Sequence, residues 1–132
     1  VTRTDWQVVH TSAAGLAPQG PNDPIQFFRV LRVDHTVIVD LSGLRLDTTK
    51  PGLANLGHLP DWACGAPLPH QYHWVNDSAT SLHPSLCSLY YGKTIYWNQQ
   101  VVKGLLAITR PETLRGGFEF TTLASFPKHL EV

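Results

Sequence analysis

The stretch from Ile25 to Leu46 leaves this chain little choice but an antiparallel β-structure. Two runs, Ile25-Gln26-Phe27-Phe28-Arg29-Val30-Leu31-Arg32-Val33 and Thr36-Val37-Ile38-Val39-Asp40-Leu41, are rich in β-branched and aromatic side chains, and only Asp34-His35 separates them. That is the signature of a hairpin. In the second run Val37, Val39 and Leu41 share one face while Asp40 and Ser42 share the other, the period of two of a half-buried strand. The first run has Phe27 beside Phe28 and Arg29 close to Arg32. It is expected to face a core on one side and another subunit on the other.

A second hairpin is expected from Leu86-Cys87-Ser88-Leu89-Tyr90-Tyr91 against Thr94-Ile95-Tyr96-Trp97, joined by Gly92-Lys93. Glycine at the first turn position suits a type II′ turn. Further strands are expected over Asp5–Val9, Gln71–Val75 bounded by Asn76-Asp77-Ser78, Leu105–Thr109 and Phe118–Leu123. Pro18, Pro21 and Pro24 with Gly15 and Gly20 make 16–24 a stiff loop. The stretch 54–69 carries Pro60, Pro67 and Pro69, and each proline would remove a ladder donor from a sheet interior. It is expected to be a shaped crossing between two halves of one domain. No heptad, internal repeat or sustained helical period competes with these signals. The reading is a single all-β domain over 1–132, an antiparallel sandwich or barrel. Its parts are an entering strand and loop (1–24), a core (25–123) and a tail (124–132).

At 132 residues the chain is long enough for its own core and needs no metal or disulfide to fold. Ten basic and ten acidic side chains cancel, and no basic stripe offers itself to phosphates, so nucleic acid is not an expected partner. Charged residues make up only 15% of the chain against 10% aromatic, which leaves surface for apolar contact. Apolar runs fall well short of the roughly 20 residues of a bilayer span, and the start lacks a basic-then-apolar leader. A soluble domain without membrane insertion is expected. Beginning at Val1 and not methionine, it reads as a piece of a longer protein.

His70 and His73, with Cys64 before them and His83 and Cys87 after, have a superficial metal look. Zinc sites favour Cys-x-x-Cys or histidines with three to five residues between them, in paired knuckles, whereas His70 and His73 have only two between them. No metal and no cofactor are expected. Neither cysteine sits in a nucleophile elbow, so the chain does not read as an enzyme. Two buried thiols are expected in place of a disulfide.

The order of these segments resembles the C-terminal heads of tailed-phage tail-fibre and receptor-binding proteins. Phe28-Arg29-Val30 through Leu44 precedes a Leu-Pro step at Leu59-Pro60, and Ser88-Leu89-Tyr90-Tyr91-Gly92-Lys93-Thr94-Ile95 follows it, so the likeness covers about residues 25 to 123. The resemblance implies a jelly-roll-like homotrimeric head in the virion, at a tail tip or fibre, folded in the reducing host cytoplasm. It further implies contact with other tail or baseplate proteins and binding of host cell-surface saccharide.

Sugar recognition uses aromatic surface for C–H faces and planar polar groups for hydroxyls. Trp62, His70, Tyr72, His73, Trp74 and Asp77 fall within sixteen residues, in or beside loops where function concentrates. The expected ligand-binding residues are Trp62, His70, His73, Trp74 and Asp77. Tyr72 and Trp74 share one strand face and suit a core equally well. The alternative function is a structural, trimerisation or protein-binding module without glycan binding. In a trimer, Phe27, Phe28 or Ile95 is expected at the contact.

Overall fold

The computed structural model describes residues 1–11, 26–46, 53–77, 84–98 and 112–132. Within them, β1 (Gln7–His10), β2 (Phe27–Val33), β3 (Thr36–Asp40) and β10 (Gly117–Thr121) form one sheet in the order β1-β2-β3-β10. The other sheet contains β4 (Arg45–Leu46), β5 (Leu53–His58), β6 (Gln71–Asp77), β7 (Pro84–Tyr90), β8 (Thr94–Asn98) and β9 (Glu112–Arg115), in the order β4-β9-β6-β7-β8-β5. Every pairing is antiparallel, and the described residues contain no α-helix. The two sheets pack face to face, as expected of an all-β sandwich.

The core is what the alternation dictates. Phe28, Val30, Val37, Val39, Phe118 and Phe120 point in from the four-stranded sheet, and Ala54, Leu56, Val75, Cys87, Leu89, Ile95 and Trp97 from the six-stranded one. Each large apolar side chain so buried contributes roughly 1.5–3 kcal/mol against an exposed reference. Phe28 and Ile95 are fully buried in this layer, which removes them from any subunit contact; of the three expected residues only Phe27 is exposed.

The first hairpin turns at Asp34-His35 as expected, with Val33 opposite Thr36. Asp34 takes the left-handed conformation at φ 50, which Asp tolerates better than most residues. Its carboxylate accepts from the Thr2 amide at 2.9 Å. The second hairpin differs from expectation: its loop is Tyr91-Gly92-Lys93, with Tyr90 opposite Thr94. Tyr91 and Gly92 both have positive φ, 49 and 69, the pattern of a type I′ turn. The chain adopts it because the backbone of the crossing packs against Gly92. A Cβ there would lie 2.3 Å from the Gly65 carbonyl oxygen.

Other boundaries moved as well. β1 begins two residues later than the expected Asp5–Val9, and β6 runs on through Asn76 and Asp77 because these pair with β9. The expected strand Leu105–Thr109 lies outside the described residues. The stretch 54–69 is not a loop throughout. Its first residues belong to β5, which among the described residues pairs only with β8 and bulges between Asn55 and Gly57. Proline starts only at position 60, so nothing prevented an edge strand before it. Nor does the crossing divide two halves, since β5 and β6 lie in the same sheet.

The connection from β5 to β6 instead covers one end of the sandwich. Leu59 donates to the Lys93 carbonyl at 2.7 Å, Gly65 to that of Gly92 at 2.8 Å, and Tyr91 back to that of Leu68 at 2.8 Å. Arg32, buried on the inner side of β2, supports the same region from below. It donates to the carbonyls of Asp34 (2.8 Å), Trp62 (2.7 Å), Ser125 (3.1 Å) and Ala124 (2.7 Å). One guanidinium thereby joins the crossing to the segment after β10. That segment is itself tied down, with Val132 donating to the Arg3 carbonyl at 3.1 Å.

Candidate functional site

The residues expected at one site do not all share a surface. Strand alternation sends Gln71, His73 and Val75 of β6 inward and Tyr72 and Trp74 outward. His73 stacks on Phe118 of the opposite sheet at 4.3 Å between ring centroids and 10° between planes. Its buried Nε2 has no hydrogen-bond partner, and burial lowers its pKa from the ordinary 6.5. His73 is a half-buried ring that faces the opposite sheet. Trp62 sits in a 3₁₀ turn over Asp61–Ala63 at the covered end of the sandwich, partly buried against the core. It shares no face with Trp74. Asp77 pairs with Leu114 at the far end of β6.

Trp74 and His70 do share a surface, and Tyr72 joins them. Tyr72 and Trp74 are 58% and 59% exposed, which overturns the core alternative for both. They stand on the outer face of the six-stranded sheet. Pairing places Ser88 and then Tyr96 beside Tyr72, and Leu86 beside Trp74. His70, just before β6, is stacked on Tyr72 at 5.5 Å and tilted against Tyr90 at 5.4 Å. Its Nδ1 shares a hydrogen bond with the Ser88 hydroxyl at 3.1 Å. Tyr90 in turn meets Tyr91 edge-on at 4.4 Å and Tyr96 at 5.9 Å. The His58 Nδ1 and the Thr94 hydroxyl share a hydrogen bond of 2.8 Å at the neighbouring edge.

The result is an aromatic surface over a floor of small hydroxyl residues. Ser88 and Thr94 are buried beneath the rings, and their hydroxyls hold His70 and His58 in place. A stacked and hydrogen-bonded set of rings loses little conformational freedom on binding. Tyrosine, tryptophan and histidine combine apolar ring surface with a polar tip. Sequence reasoning missed Tyr90, Tyr91, Tyr96, Ser88 and His58. The alternation of Tyr90, Ser88 and Leu86 was visible, but which face turned outward was not.

Burial raises the pKa of both thiols, that of Cys87 to about 12, and a thiol so held is a poor nucleophile. The cysteines are not joined, and among the described residues no three His, Cys, Asp or Glu side chains converge on a point. A second feature lies on the other sheet. There Arg29, paired with Asp40, stacks over the Trp6 ring at 4.9 Å. Beside this ring is an open depression of about 410 Å³ lined by Trp6, Ile38, Asp40, Gly117 and Glu119 among others. Comparison of the chain with family models, curated proteins and solved structures finds no match.

Proposed function

We propose that this domain is a non-catalytic saccharide-binding head of the kind tailed phages carry at a fibre or baseplate, and that it engages host cell-surface glycan through the outer face of its six-stranded sheet. The observation that carries the reading is the exposed set of rings formed by Trp74, Tyr72, His70, Tyr90 and Tyr91. Ring surfaces of this kind cover the C–H faces of sugars, and the phenol and imidazole tips meet hydroxyls. The phage assignment rests on the order of segments between residues 25 and 123, and with it the homotrimer, the place in the virion and the contacts with other tail or baseplate proteins. Binding makes and breaks no covalent bond.

A glycan array probed with the intact oligomer tests the reading. Binding to cell-surface saccharides is expected, with Trp74→Ala reducing it by at least tenfold, about 1.4 kcal/mol, while the melting temperature stays within a degree or two. Retention of full binding by Trp74→Ala and Tyr72→Ala together would reject this face. A second reading, self-association without glycan binding, draws on Val8 and Phe27, which are exposed on the outer face of the other sheet. The array decides between the two.

A further inference from the structure

We infer that the free edge of β10 accepts an extended segment of a partner protein as an added strand, with a lysine or arginine of that segment lying across Gly117 and its charge against Glu119. This edge belongs to the four-stranded sheet, whereas the aromatic face belongs to the other.

Three observations lead to it. First, the edge is unpaired. Among the described residues β10 pairs only with β3. Leu41 donates to the Gly116 carbonyl and Thr122 to that of His35, each at 2.8 Å. In an antiparallel ladder of this register, Phe118 and Phe120 exchange their bonds with Val39 and Val37. The amides and carbonyls of Gly117, Glu119 and Thr121 therefore point away from β3, and among the described residues no group takes them. Such a row is a template for main-chain pairing.

Second, the outer face beside this edge has a gap. A Cβ on Gly117 would collide with the Val39 carbonyl oxygen, so only glycine fits there. The depression of about 410 Å³ lies against it, bounded by Trp6, Ile38, Asp40 and Glu119. An added strand sets every second side chain on this face, and one opposite Gly117 meets no side chain from β10.

Third, charge selects the occupant. Asp40 is already matched by Arg29 and by the Ser42 amide at 3.0 Å. Glu119 is exposed, and among the described residues neither a cation nor a donor reaches it. A lysine or arginine meets both conditions, with its alkyl stem over Gly117 and Ile38 and its head at the carboxylate on the diagonal. A second copy of β10 does not. Paired antiparallel in full register, it would set Glu119 against Glu119, and like charges directly opposite destabilise a sheet.

Amide hydrogen exchange of the intact protein, read residue by residue by NMR, tests this with probe peptides of the form Thr-Val-Xaa-Val-Thr, where Xaa is lysine or glutamate. The lysine peptide is expected to slow exchange at the Gly117, Glu119 and Thr121 amides and to bind about fivefold more tightly than the glutamate peptide. Glu119→Lys, an exposed substitution, should invert that preference and keep the same three amides protected. Methylating the peptide amides that face β10 should abolish binding, and methylating the others should not. Equal binding of the two peptides by the native protein overturns the inference, as does protection at Val8 and His10 on the β1 edge instead, or no protection with either peptide. Protection of the three amides that grows with protein concentration alone would assign the edge to a second copy and overturn it too. All of these outcomes leave the saccharide reading standing, since it concerns the other sheet.

Discussion

At the scale of single residues, Arg32 and His73 show how differently a buried polar group can be treated. Arg32 has four of its donor contacts met by backbone carbonyls from three separate segments. Arg32→Met would leave those carbonyls without donors, at about 1–3 kcal/mol for each one that stays dry. The expected loss is at least about 3 kcal/mol, read as a fall in the urea midpoint. Arg32→Lys should recover little of it, because an ammonium cannot span acceptors arranged for a planar fork. A near-neutral Arg32→Met would show that water replaces the guanidinium freely.

His73 has the opposite problem, an interior nitrogen with no partner. Its pKa in the fold is below 6.5, so at pH values between the two the unfolded chain binds more protons than the folded one. Stability is full above pH 6.5 and is lost as pH falls from there toward the folded pKa. The groups facing the ring do not oppose this: Phe118 is apolar, and Cys87, opposite it on β7, stays a neutral thiol. His73→Phe keeps the stack and removes the proton. Urea midpoints measured between pH 7 and 5 are expected to fall for the native protein and to stay flatter for the variant. At Asp40 burial raises the pKa, but hydrogen bonds from Ser42 and Arg29 outweigh it and hold the group below 3.8. Its contribution is present above that value and is lost only at lower pH.

At the scale of elements, the β7–β8 turn and the crossing form one unit, because three backbone bonds tie them together. Gly92→Ala meets two obstacles: a left-handed φ of 69 and a Cβ 2.3 Å from the Gly65 oxygen. The first alone costs about 1–2 kcal/mol, and the second pushes the crossing off the turn. Gly43→Ala is the control, with a φ of 95 but nothing within 4 Å. Gly92→Ala is therefore expected to destabilise more than Gly43→Ala. It should also speed hydrogen exchange at the Leu59 and Gly65 amides, which Gly43→Ala should leave protected. Equal effects from the two would mean that the crossing does not depend on the turn.

At the scale of the whole molecule, both outer faces of the sandwich carry exposed apolar side chains. Phe27 and Val8 are exposed on the outer face of the four-stranded sheet, opposite the aromatic face, so self-association there would leave the rings free. Under the trimer proposal, sedimentation should give a threefold mass that Phe27→Glu reduces to that of the monomer without unfolding. A native monomer at micromolar concentration would count against it. Linking several weak sites raises avidity by roughly 10² to 10⁴ when they engage one polymer together. Phe27→Glu should accordingly weaken adsorption to cells far more than binding of a soluble oligosaccharide.

The class of the fold was legible in the sequence because it is encoded locally. Val37, Val39 and Leu41 alternate with polar neighbours, and Asp34-His35 and Gly92 have turn chemistry, so two hairpins could be drawn without any knowledge of their partners. What only tertiary structure decided was which side of β6 turns outward. Tyr72 and Trp74 are as apolar as His73 and Val75, so alternation marks two faces without ranking them. The packing of Phe118 against His73 made the choice and sent the two larger rings into solvent. Likewise Tyr90 reached His70, and Tyr96 came into the row of Ser88 and Tyr72, only through strand pairing, and β5 was hidden by Asn55, Gly57 and the proline beyond it. A surface assembled across strands depends on register and on the opposing sheet, and neither is a property of any one stretch of the chain.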